Sequence, residues 1–161
     1  MNTYPLRLLI LLCVLILTSC SSNNDVEIVN DTPTTITEKA IEADILNLVN
    51  NYRIANGYTA LHKLNIVKSQ TYDHTSYMID EDKISHDFFY DRKTYLIENA
   101  NATQVGENVA YGYSNAEAVV NAWIKSDGHK KNIEGNFTHF NVSAEKGNNG
   151  KWYFTNIFIK K

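Results

Sequence analysis

Two imidazoles and one carboxylate stand beside backbone signals that would fix them: Ser85-His86, then Gly106-Glu107-Asn108-Val109-Ala110, then Trp123-Ile124-Lys125-Ser126-Asp127-Gly128-His129 followed by Asn132-Ile133. We read them as lining one cleft. Two neutral imidazoles with a nearby carboxylate can hold a divalent ion such as Zn²⁺ or Mg²⁺, water completing the shell. The same groups admit hydrolysis, with Glu107 as general base on a water, or Ser126, His129 and Glu107 as a nucleophilic set. Catalytic signatures are missing, however: there is no Gly-x-Ser-x-Gly elbow and no His-Glu-x-x-His helix. Ser126 is also so close to His129 along the chain that a triad would be a coincidence of geometry. The plainest alternative is bracing, in which these side chains only hydrogen-bond one another and hold the loops.

The elements that must position them follow from periodicity. Ile41, Ile45, Leu48 and Tyr52, widened by Val49, predict a helix over about Thr37–Asn56, stopped by Asn56-Gly57. Leu64, Val67, Thr71, His74 and Met78 share one side of a second helix, about Lys63–Asp82, so His74 is expected as a buried, hydrogen-bonded structural residue. His62 and His139 read as surface or packing residues. Asp91–Asn101 is expected to give a helical turn or two, with Tyr95 and Leu96 inward. Gly106–Tyr113 reads as an extended piece or irregular turn. Ser114-Asn115-Ala116-Glu117 has the form of a capping box, Ser114 being the cap. The helix it opens carries Ala116, Val119, Val120 and Trp123 on its buried stripe and ends near Gly128.

The tail reads as strands. Phe140, Val142 and Ala144 alternate, Lys146-Gly-Asn-Asn-Gly150 supplies hairpin chemistry, and Lys151–Ile159 returns. Trp152, Phe154 and Phe158 point one way and Tyr153, Ile157 and Ile159 the other, so this strand is covered on both faces. Helices first and hairpin last imply an α+β fold, a three-layer α-β-α sandwich around a small antiparallel sheet.

The 161 residues suit one domain with appendages. Residues 1–19 have the form of a secretory signal: a basic start ending at Arg7, the apolar run Leu8–Leu17, then small residues. Leu17-Thr18-Ser19-Cys20 resembles a bacterial lipobox, which implies cleavage before Cys20 and acylation of its thiol. Residues 20–37 are polar and read as the lipidated cysteine and a flexible tether; residues 38–161 form the domain. With Cys13 removed and Cys20 acylated, no disulfide framework and no Cys-based zinc site remains. The net charge of −3 becomes one unit more negative when Arg7 leaves. A mildly acidic chain with scattered charges argues against a nucleic-acid partner. The expected location is the bacterial cell envelope, extracytoplasmic and held to a membrane by lipid. The Asn101, Asn136 and Asn141 sequons then carry no glycan.

The ordered set of residues resembles the CAP superfamily, the cysteine-rich secretory protein, antigen 5 and pathogenesis-related 1 group, in its bacterial form. The resemblance runs over about residues 40–160. It begins with Leu48-Val-Asn-Asn51, Arg53 and Gly57, then Leu61 and His74-Thr-Ser-Tyr-Met78. Ser85-His86, Gly106-Glu107-Asn108-Val-Ala110-Tyr-Gly112, Trp123 to His129 and Asn132-Ile133 follow in family order. Asn136-Phe137, Trp152-Tyr153 and Phe158 close it. The family is a three-layer α-β-α sandwich with a cleft lined by two His and, in many eukaryotic members, two Glu. The resemblance implies His86 and His129 as metal ligands and Glu107 as a ligand or the orienter of one, with Ser126 and Asn108 in the cleft. Ser126 occupies the place of the second Glu, as in many bacterial members, and can hydrogen-bond a bound water. Asn141 stands where many relatives have glycine. Family members are linked to sterol, lipid and protein recognition at cell surfaces, which implies a lipid or protein partner as a third function beside ion binding and hydrolysis.

Overall fold

In the computed structural model, which describes residues 36–161, the last strand carries apolar side chains on both faces and helices cover each face. The elements in chain order are α1 (Ala40–Ala55), β1 (His62–Lys63), α2 (Asn65–Asp80), α3 (Phe89–Ala100), β2 (Gln104–Tyr111), α4 (Ala116–Lys125), α5 (Asp127–Glu134), β3 (His139–Lys146) and β4 (Trp152–Lys160). The signal peptide, Cys20 and most of the tether lie outside the described residues. Among the described residues no helix is long and apolar enough to cross a membrane.

The sheet runs β1-β3-β4-β2. β3 and β4 form the expected hairpin, Lys146 opposite Trp152, and β2 lies antiparallel to β4 with Gly106 opposite Phe158. The sheet is mixed rather than purely antiparallel, because β1 pairs parallel to β3 through His62 and His139. Two residues are too short to show a strand pattern. The His62 amide bond to the Thr138 carbonyl makes this strand. His62 and His139 are therefore sheet neighbours, their rings 5.7 Å apart.

On one face, Ile45 and Val49 of α1 and Val119, Val120 and Trp123 of α4 pack on Phe140, Val142, Phe154 and Phe158. On the other, Val67 of α2 and Leu96 of α3 meet Ile157 and Ile159, while Met78 meets Val109 and Tyr153. The split of β4 into two apolar faces is what makes three layers. Each such large side chain, fully buried, contributes roughly 1.5–3 kcal/mol.

The helix boundaries correct several expectations. α1 opens at Lys39, whose amide is accepted by the Glu42 carboxylate. The cap of α4 is Asn115, not Ser114: its side chain accepts from the Ala118 amide at 2.8 Å. The helix expected to end near Gly128 stops at Lys125, and Ser126 serves as the boundary from which α5 starts in a new direction. Asp91 to Ala100 belong to a full three-turn helix, α3, in which Leu96 is buried but Tyr95 is 43% exposed. Gly106–Tyr113 proves to be mostly strand, held by its pairing along β4.

Candidate functional site

β2 lies at the end of the sheet, so one edge of its backbone needs other partners. Side chains from α4 and α5 supply them. Asn132 Nδ2 donates to the Glu107 carbonyl at 3.0 Å, and Trp123 Nε1 donates to the Val109 carbonyl at 3.2 Å. Asn132 also donates to Asn108 Oδ1 (2.8 Å), and Asn108 Nδ2 donates to the His129 carbonyl (3.1 Å). Asn108 is fully buried. It therefore acts as a strut that fixes the first turn of α5, and His129 with it. Gly106 makes this approach possible, since a Cβ there would stand 2.6 Å from Asn132 Oδ1.

The Glu107 side chain leaves β2 on the side of α2 and α3. Arg92 of α3 grips it with two bonds, Nε to Oε2 and Nη2 to Oε1, both 2.9 Å. His86 Nδ1 lies 2.8 Å from Oε1. An ionised carboxylate only accepts, so Nδ1 carries the proton and Nε2 is left free to act as an acceptor or ligand. The group runs from core to solvent: the Glu107 side chain is 1% exposed and that of His86 is 52% exposed.

The loop that carries His86 is pinned from both helices. His74 Nε2 donates to the Ser85 carbonyl at 2.8 Å, Arg92 Nη1 donates to the Asp87 carbonyl at 2.7 Å, and Tyr77 Oη donates to Asp87 Oδ2 at 3.1 Å. His74 is buried, as its place on the apolar stripe of α2 requires. It also lies 3.8 Å from Glu107 Oε1, so it forms the floor of the group. Burial holds its imidazole below the ordinary histidine range, against the pull of Glu107. Burial likewise lowers His129, and the neighbouring charge of His86 lowers it further. Both effects favour the neutral form of His129, the form that binds metal.

His86 and Glu107 are therefore joined directly, while His129 is tied to the same strand through its carbonyl and Asn108, and Ser126 sits at the α4–α5 junction. Their roles are unequal. Both Glu107 oxygens already accept from Arg92 or His86, and the guanidinium charge beside them opposes a cation there. Among the described residues no three His, Cys, Asp or Glu side chains converge on one point as a ready ion cage. The nitrogens that would be available to an ion are His86 Nε2 and those of the His129 ring, with Glu107 orienting His86 from behind. Among the described residues no hydrogen bond links Ser126 Oγ to His129, or His129 to Glu107. Sequence reasoning missed Arg92; its signal was an arginine among mostly lysine cations, on a segment read as only a turn or two. Asn132 was noted without a role. Asn141 is buried and donates to the Leu64 carbonyl at 3.2 Å, joining β3 to the start of α2.

Comparison with known proteins agrees with this fold. The family described as "Cysteine-rich secretory protein family" (CAP) matches residues 46–158. The chain is 30% identical over 124 residues to the uncharacterized membrane protein YlbC of Bacillus subtilis, covering 74% of this chain and 34% of that one. An extracellular protein containing an SCP domain from Bacillus anthracis superposes with a TM-score of 0.64 at 26% identity, over 74% of this chain and 40% of that one. An outer surface protein of Borrelia burgdorferi shares the fold, with a TM-score of 0.68 at 16% identity over 78% of this chain and 98% of that one. The chain spans about a third of the length of YlbC.

Proposed function

This chain belongs to the cysteine-rich secretory protein family, CAP, and from that premise we propose that it is an extracytoplasmic, lipid-anchored binding domain whose His86–Glu107–His129 group takes a divalent ion or small ligand. The observation that carries this reading is the orientation of His86: Glu107 fixes Nδ1 and leaves Nε2 free on a half-exposed ring. A divalent ion bound there would supply a positive centre for an anionic or carbonyl-bearing ligand. Ile84, Phe88 and Tyr90 flank His86 and are 46%, 60% and 78% exposed, an apolar rim suited to a lipid or protein partner. Phe88 holds a left-handed backbone (φ 58°), a conformation that an aromatic residue adopts only when its surroundings impose it. The hydrolytic alternative has less support, since both Glu107 oxygens are engaged by Arg92 or His86 and, among the described residues, Ser126 has no hydrogen-bonded base.

Calorimetric titration with Zn²⁺ and with Mg²⁺ tests the ion reading. Saturable binding by the wild type, lost in His86→Ala/His129→Ala with an unchanged circular dichroism spectrum, is the expected result. An absence of binding to the wild type sinks it and leaves the apolar rim as the recognition surface. Anchoring rests on Cys20 and on relatives described as membrane and extracellular proteins. Cys20→Ala should abolish labelling by a fatty-acid probe; continued labelling overturns the anchor.

A further inference from the structure

A second cleft, of about 390 Å³, opens at the C-terminal end of α1, between the α1–β1 connector and the α5–β3 connector. Its base is Arg53, in the last turn of α1 and only 2% exposed. Arg53 Nε donates to the Thr59 carbonyl at 2.8 Å, and Nη1 donates to the Ile133 and Gly135 carbonyls that end α5. These bonds explain why an arginine ties the two connectors together. They do not use Nη2, which has no hydrogen-bond partner among the described residues and is not sealed from solvent.

The charge is also unmatched. No carboxylate lies within ion-pair distance of Arg53 among the described residues, and its neighbours besides carbonyls are the Tyr58 ring, 5.7 Å from the guanidinium, and the cleft itself. Glu134, on the cleft wall, is engaged elsewhere, accepting from Tyr52 Oη at 2.7 Å with Lys130 Nζ at 3.7 Å. Burial pulls the guanidinium below the ordinary arginine range, with only Tyr58 acting against it. A buried cation without a counter-ion is an expensive arrangement, which an anion in the cleft would relieve.

We propose that this cleft binds a small carboxylate, its oxygen on Arg53 Nη2 and its apolar body against Tyr58, Ala60 and Phe137. One free nitrogen and a planar guanidinium suit a singly charged, planar acceptor. A phosphate dianion would be disfavoured by Glu134 on the wall. The cleft is separate from the His86–Glu107–His129 group, so its occupancy does not depend on the ion reading.

The probe is N-acetyl-alanyl-alanine, with its C-terminal amide and with acetate as controls, followed by amide NMR. Saturable shifts at Tyr58, Thr59 and Asn136, with Kd on the order of 1 mM, are expected from the free acid. The amide should bind about tenfold more weakly, having lost one charge-assisted hydrogen bond. Saturation by acetate as well identifies a general small-acid site; saturation by the dipeptide alone identifies a peptide C-terminus. Arg53→Met would also remove the carbonyl bonds that tie the connectors, so the deciding variant is Ala60→Phe, which fills the cleft and leaves Arg53 in place. Loss of the shifts in Ala60→Phe supports the site. Equal shifts from acid and amide, shifts that persist in Ala60→Phe, or no saturable shift from the acid or acetate overturn it.

Discussion

Arg92 holds Glu107 through two hydrogen bonds of 2.9 Å from a guanidinium that is itself nearly buried, so the carboxylate of the site is half of an internal ion pair. This arrangement separates the two jobs that a glutamate at this position could have. It is poorly placed to ligate a cation and well placed to orient His86.

Arg92→Met is expected to destabilise the protein by about 3–5 kcal/mol, because it strands a buried carboxylate. Glu107→Gln in the same background should recover much of that loss, since the stranded charge is removed. Urea denaturation of the two single variants and the double variant measures the coupling. Additive losses would show that the pair is not coupled.

Stability should fall as the pH drops through the histidine range. In the unfolded chain His74 and His129 take up protons near pH ~6.5, whereas burial depresses both in the folded protein. Between the two pKa values the unfolded state binds more protons, so the folded state loses ground as pH falls through that window and is at full strength above it. Urea midpoints from neutral to mildly acid pH should decline, and NMR should place His129 below a free histidine. His86→Ala should raise the His129 pKa by removing the neighbouring charge. An unmoved His129 would mean that the two imidazoles do not interact.

Gly106→Ala should loosen α5 from β2. The new methyl would meet Asn132 Oδ1 at 2.6 Å, and moving Asn132 breaks its bonds to the Glu107 carbonyl and to Asn108. The expected cost is about 1–3 kcal/mol, with faster hydrogen exchange through Asp127–Glu134 and perturbed His129 ring signals. Wild-type exchange rates would show that Asn132 can step aside freely.

Much of this protein was legible in one dimension because burial has a period. The stripe Val67, Thr71, His74 and Met78 marked the buried face of α2, and the alternation of Trp152, Phe154 and Phe158 against Tyr153, Ile157 and Ile159 required two covering layers. The family resemblance, in turn, put His86 and Glu107 in one cleft, and these two are in hydrogen-bond contact.

Tertiary structure decided what depends on contacts between distant segments. β1 exists only because the His62 amide finds the Thr138 carbonyl, beyond the intervening helices α2 to α5, and no two-residue pattern can announce that. Glu107 became an orienter only when α3 delivered Arg92, 15 residues upstream, to both of its oxygens. Local sequence sets the types of side chain and the faces they occupy. Which donor saturates which acceptor is set by packing, because hydrogen bonds act over about 3 Å in space and take no account of separation along the chain.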